Sequence, residues 1–216
     1  MTTSTVSSVA ARVAHLKQLV STDPQAAQDA VWGWFQRVGR QLPSPAAQAE
    51  LAELFTTSTA ASAVDGQTEG LLVGWVPPHP ALDRGGKGLH ALARTVTIRL
   101  GILPWLGKRF DGQAKQGANS LSRLGLLARP IAKVRKAGDH YEAFPMTNWV
   151  ERGKIDPGTD VLVIDYASLP GNPWPVSHIR DELVEIVPNT YLGKMLWHQG
   201  DDYYLLAYFA LKTPIS

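Results

Sequence analysis

Three strand-like segments near the C-terminus are separated by turns too short for a crossover, and this limits the fold more than any other feature of the chain. The alternating run 182–186 ends in Val187-Pro188-Asn189-Thr190, which opens a second run over 191–198. Gln199-Gly200-Asp201-Asp202 then returns the chain into a third, over 203–211. Parallel neighbours need a connection of about a dozen residues or more, so these three strands lie antiparallel as a meander. A fourth, β-branched run precedes them at Val161-Leu162-Val163-Ile164-Asp165-Tyr166.

Period-two alternation puts Tyr191, Met195 and Trp197 on one face, and Tyr203, Leu205, Phe209 and Leu211 on one face of the next strand. The opposite faces carry Leu192, Lys194, Leu196 and His198, and Tyr204, Leu206, Tyr208 and Lys212, so neither side is purely solvent-like. Strands with two such faces suit a closed or half-closed barrel. They suit equally a flat sheet lying under the N-terminal helices.

Residues 1–57 supply such helices. Val6, Val9, Val13, Leu16 and Val20 recur at steps of three and four. Asp23-Pro24 restarts a helix bearing Ala27, Val31, Trp34, Phe35 and Val38. Ser44-Pro45 starts a third, with Leu51, Leu54 and Phe55. Gly70-Leu71-Leu72-Val73-Gly74-Trp75-Val76 reads as a strand stopped by Pro77-Pro78, whereas residues 89–103 fit either a helix or an extended segment. The expected organisation is therefore α+β: a helical extension over 1–57, then an antiparallel, calycin- or lipocalin-like barrel or strongly curved sheet over 58–216.

Charge is unevenly spread. Residues 84–136 hold twelve Lys and Arg against one acid, while 137–216 hold five against eleven. The basic middle either pairs with the acidic third inside one domain or forms a surface for an anionic partner, such as an anionic lipid surface. Nucleic acid is disfavoured as a partner, because no helix-turn-helix or RNP-like aromatic pattern accompanies the charge. The absence of cysteine removes disulfides and thiol chemistry and fits a reducing cytoplasm. No secretory signal is visible at Met1-Thr2-Thr3-Ser4-Thr5, and no run has the length of a membrane span.

Catalytic signatures are sparse. Gly85-Gly86-Lys87-Gly88 lacks the strand, spacer and hydroxyl of a phosphate-binding loop and reads as a flexible turn. The six histidines show no metal-ligand spacing, and no motif calls for a metal or a cofactor. His178-Ile179-Arg180-Asp181-Glu182 is the densest titratable cluster; if extended, it sends His178, Arg180 and Glu182 one way and Asp181 the other. A second cluster, Trp105-Leu106-Gly107-Lys108-Arg109-Phe110, flanks two cations with aromatic rings, a pattern that can hold an anionic head above an apolar body.

Trp75, the Trp105-x-Gly107-Lys108-Arg109-Phe110 run, the segment from Asp165 to Pro170, His178-Ile179-Arg180 and Thr190-Tyr191-Leu192-Gly193 occur in an order that resembles the small GXWXG-type proteins, domains without an assigned function. The resemblance covers about residues 54–195. It departs from the family where the glycines flanking the tryptophan become Val73 and Pro77, and where the stretch 169–176 is longer. It implies a small, lipocalin-like barrel and suggests ligand binding.

Three functional expectations follow. In the first, a barrel cavity binds an apolar small molecule with an anionic head; Trp75, Trp105, Tyr166 and Trp197 form walls and Lys108, Arg109 and Arg180 meet the head. In the second, the chain is an enzyme acting on a lipid-like or polyketide-like substrate, with His178 or His140 as base and Asp165 or Tyr166 assisting. In the third it is an interaction module, whose N-terminal helices form a homodimer or dock on a partner.

Overall fold

The computed structural model describes residues 8–61, 64–99, 104–130 and 132–215. Val6, at the head of the first apolar stripe, and Gly101 and Leu103, in the ambiguous basic stretch, lie outside the described residues. Three helices come first: α1 (Ser8–Val20), α2 (Pro24–Gln41) and α3 (Pro45–Thr56). The caps read from sequence form. Asp23 Oδ1 accepts from the Ala26 amide at 2.9 Å and Ser44 Oγ from the Ala47 amide at 3.2 Å, each ahead of a proline at the first helical position.

Strands follow as β1 (Thr59–Ala60), β2 (Gly66–Gln67), β3 (Glu69–Trp75), β4 (Trp105–Asp111), β5 (Gln116–Leu121), β6 (Arg135–Ala137), β7 (His140–Arg152), β8 (Asp160–Asp165), β9 (Ile179–Val187), β10 (Thr190–Gln199) and β11 (Asp202–Lys212), with α4 (Arg84–Arg94) between β3 and β4. One antiparallel sheet runs β2-β4-β5-β7-β8-β9-β10-β11-β3. Its two ends, β2 and β3, belong to one extended run interrupted at Thr68. The lower part of that run bonds β4 and the upper part bonds β11. Thr68 bridges them, its amide and hydroxyl both donating to the Lys108 carbonyl at 2.9 and 2.7 Å. The sheet therefore comes round to an almost closed up-and-down barrel of eight staves, the architecture that removes free strand edges.

Alternation divides the apolar residues between two cores. Val73, Val161, Val163, Val184, Ile186, Leu192 and Ala210 point outward and pack with Val31, Phe35, Val38, Leu51, Leu54 and Phe55 of α2 and α3. Leu162, Ile164, Leu183, Tyr191, Phe209 and Leu211 point inward with Phe110 and Met146. The mixed strand faces thus have one cause: one side of the barrel wall is sandwiched between its lumen and a layer of helices. On β11 the predicted faces need correction. Met195 pairs with Ala207 and Leu196 with Leu205, which leaves Leu206 as an extra residue. The bulge turns Leu205 to the helices and places Tyr204 and Leu206 with the inward cluster.

The basic middle resolves into α4, a π turn at Thr95–Arg99 and strands β4 to β6. Gly85-Gly86-Lys87-Gly88 is the first part of α4, capped by Asp83, and not a flexible turn. The reason is contact: a Cβ on Gly86 would come within 2.5 Å of Leu82 and 2.9 Å of the Trp197 ring, so only glycine lets the helix lie on that tryptophan. Several of the cations pair with the acidic third of the chain: Lys108 with Asp181, and Arg109 and Arg135 with Glu142. Among the described residues, no helix is long and apolar enough to cross a membrane.

Candidate functional site

A cavity of about 370 Å³ occupies the barrel lumen. Leu72 and Trp75 of β3, Phe144 of β7, Ile179 of β9, Met195 of β10 and Ala207 and Phe209 of β11 form its apolar wall. Leu89 and Ala93 of α4, with Pro175 and Val176, close over one side. A cavity of this size lined mostly by apolar side chains is the usual form of a small-molecule site.

The polar exceptions gather in one cluster. Lys108 Nζ lies 2.9 Å from Asp181 Oδ2 and 3.0 Å from Asn119 Oδ1, and it also donates to the Tyr166 hydroxyl. The Tyr166 hydroxyl donates to Asp181 Oδ2 at 3.1 Å and accepts from Asn119 Nδ2 at 3.2 Å. Trp105 Nε1 donates to Asn119 Oδ1 at 3.0 Å. Lys108 and Asp181 have side chains only 4% and 5% exposed, so the pair is held away from bulk solvent. The ammonium also stands within 6 Å of three aromatic rings, those of Trp105, Tyr166 and Phe209.

Burial alone would drive the Lys108 amine below its ordinary pKa of 10.5, but Asp181 and Tyr166 together outweigh that pull and hold it above. Burial, reinforced by the Asp181 carboxylate and only partly opposed by Lys108, pushes the Tyr166 phenol up to about 12. At neutral pH the cluster holds an ammonium and a protonated phenol.

Two irregularities put these groups in one place. Trp105 and Lys108 are three apart and would face opposite ways on a regular strand. Trp105 pairs with Leu121 and Gly107 with Ser120, so Leu106 is bulged out and both side chains turn inward. Gly107 at φ +148° permits the bend, because a Cβ there would strike the Thr68 carbonyl at 2.1 Å. Opposite, Phe144 is the extra residue between Ala143 and Pro145 in the pairing with β5, and its ring enters the cavity wall. The Lys108 amide donates to Thr68 Oγ1 at 3.1 Å, which with the two bonds to its carbonyl fixes the backbone under the ammonium.

No family model matches the chain, and no curated protein does. A solved structure, that of a protein from Thermomonospora curvata, is similar over 83% of this chain and 99% of that one, with 18% sequence identity and a TM-score of 0.43.

Of the residues selected from sequence, Trp75, Trp105, Lys108 and Tyr166 line the cavity together. Arg109 does not. It follows Lys108 on the strand, points out of the barrel and pairs with the buried Glu142, which Arg135 also contacts. Arg180 likewise points outward, bound to Glu151 at 2.8 Å and Glu182 at 2.9 Å beside Tyr203. Trp197 is buried against α4 and stacked on His178 at 5.0 Å, away from the cavity lining.

Of the candidate catalytic residues, Tyr166 belongs to the cavity cluster and the other three are dispersed outside it. His178 Nδ1 is 3.1 Å from the His198 carbonyl, and His140 lies 3.0 Å from the exposed Asp139. Asp165 accepts from the Ser168 amide in the turn after β8. None of the six histidines lines the cavity, and among the described residues no three His, Asp or Glu side chains gather as a metal site. Asp181 and Asn119 are not among the site residues expected from sequence. Asp181 carried a readable signal, since Ile179, Asp181 and Leu183 share a face and an acid between two apolar neighbours needs a buried cation. Asn119 carried none beyond its place two residues before Leu121.

Proposed function

We propose that the protein binds an apolar small molecule in its barrel, with the ligand's one polar end at the cluster of Lys108, Asp181, Tyr166 and Asn119. One observation carries this reading: among the described residues, a cavity large enough for a small ligand is lined by carbon except at a single fixed polar group set. A lumen meant only to stabilise the fold would be filled by side chains, because empty apolar volume costs stability. The lipocalin-like resemblance of residues 54–195 is consistent with the same use of the barrel. The expected anionic head loses two of its three cations, since Arg109 and Arg180 are engaged outside, so the body of the ligand supports the reading more than its charge does.

Trp75 and Trp105 in the wall provide the assay. Titration with a medium-chain aliphatic ligand should quench tryptophan fluorescence saturably, and Ala207→Trp, which fills the lumen from a fully buried position, should abolish the effect while leaving the far-ultraviolet spectrum unchanged. Quenching that never saturates, or that survives the filled cavity, rejects the proposal.

A further inference from the structure

Among the described residues, one side-chain atom of the cluster has no hydrogen-bond partner. A lysine ammonium has three N–H groups. Those of Lys108 go to Asn119 Oδ1, Asp181 Oδ2 and the Tyr166 hydroxyl. Asn119 Oδ1 uses its two acceptor sites on Lys108 and Trp105, and Tyr166 donates its own proton to Asp181 Oδ2. Asp181 Oδ1, on a side chain 5% exposed in the cavity wall, has no partner among the described residues. Leaving such an acceptor buried and unpaired is costly, more so for a charged group.

Resting on the reading that the lumen holds an apolar molecule, we infer that the ligand's polar end is a neutral hydrogen-bond donor, a hydroxyl on an otherwise hydrocarbon body, and that it donates to Asp181 Oδ1. The choice among head groups follows from charge and capacity. A carboxylate would meet a lysine with no N–H to spare and the like charge of Asp181 beside it. An ammonium could donate, but it would add an uncompensated charge to a cluster already balanced by Lys108 and Asp181. An ether or ester offers no donor. Of these head groups the hydroxyl alone completes Asp181 without changing the charge.

The test uses the wild-type chain and four ligands of equal hydrocarbon length: a primary alcohol, its methyl ether, the carboxylic acid and the amine. The alcohol is expected to bind roughly tenfold to a hundredfold tighter than the ether, the range for a hydrogen bond to a charged acceptor. The acid and the amine should both be weaker than the alcohol. Equal affinity of alcohol and ether means that Asp181 Oδ1 is completed by a trapped water and overturns the inference while leaving the binding function intact. A preference for the acid overturns it in favour of an anionic ligand, and no binding by any of the four removes the binding function as well. In Asp181→Asn, folded by circular dichroism, Lys108 loses its counter-charge and the order of alcohol and acid should reverse; an unchanged order refutes the role of Asp181.

Discussion

Replacing Lys108 by Met tests the balance on which the site depends. The substitution keeps an unbranched chain of similar length but removes the ammonium from a position 4% exposed and 2.9 Å from Asp181. Asp181 Oδ2 then retains Tyr166 alone, Oδ1 still has no partner, and Asn119 Oδ1 keeps only Trp105. Stripping one member from a buried ion pair costs about 3–5 kcal/mol because the remaining charge stays buried. In a chain of this length, about 2–4 °C per kcal/mol makes that a fall in melting temperature of roughly 6–20 °C. Lys108→Met with Asp181→Leu removes both charges and should recover most of the loss, since a well-packed apolar pair replaces an ion pair at little cost. Urea unfolding and calorimetry on the two single variants and the double supply the comparison. A loss below about 1 kcal/mol in the lysine variant, or a double variant that shows the sum of the singles, refutes the reasoning. Alkaline pH gives a second readout. Both Lys108 and Tyr166 have raised pKa values in the fold, so their stabilisation is complete below the unfolded-state values near 10 and is lost as pH rises toward the folded ones, that of Tyr166 being about 12. The wild type should therefore lose stability between about pH 10 and 12, and the double variant should lose less over that range.

Two further perturbations bear on the frame around the site. Gly86→Ala gains about 1 kcal/mol of helix propensity but drives a methyl to 2.5 Å from Leu82 and 2.9 Å from the Trp197 ring, an overlap of the kind that costs about 1–3 kcal/mol; a net loss in urea unfolding is expected, and a net gain would show that α4 does not rest on Trp197. Arg109→Ala removes one of two arginines on Glu142, at a position 41% exposed, and should cost no more than about 1 kcal/mol with ligand affinity unchanged; a severalfold loss of affinity would place Arg109 in the lumen.

The parts of the fold legible in the sequence are those whose local signals agree with their environment. Strands β8 to β11 combine β-branched runs with short turns, and α2 and α3 announce their starts at Asp23-Pro24 and Ser44-Pro45. Strands β4 and β5 were hidden, because Leu106-Gly107-Lys108-Arg109 and Gln116-Gly117-Ala118-Asn119-Ser120 have little strand propensity of their own and are held extended by their neighbours in the barrel. Bulges at Leu106, Phe144 and Leu206 reset which residues share a face, and a rule of strict alternation cannot foresee them. The candidate site was half visible for a related reason. Aromatic and cationic residues stand out in a sequence, and Trp75, Trp105, Lys108 and Tyr166 are of that kind. The partner that decides what Lys108 can do, Asp181, belongs to a strand 73 positions further along the chain and becomes its neighbour only when the barrel closes.

The run shared by β2 and β3 acts as the barrel's keystone. Beside the short β2–β4 pairing, Thr68 joins the wall through three hydrogen bonds to a single residue, and that residue is Lys108. The same three bonds hold the backbone that carries the ammonium, so the seam of the barrel and the polar cluster in its lumen rest on one residue. A change at Thr68 that loosens the seam should be felt at the Lys108 ammonium, at the far end of the same residue.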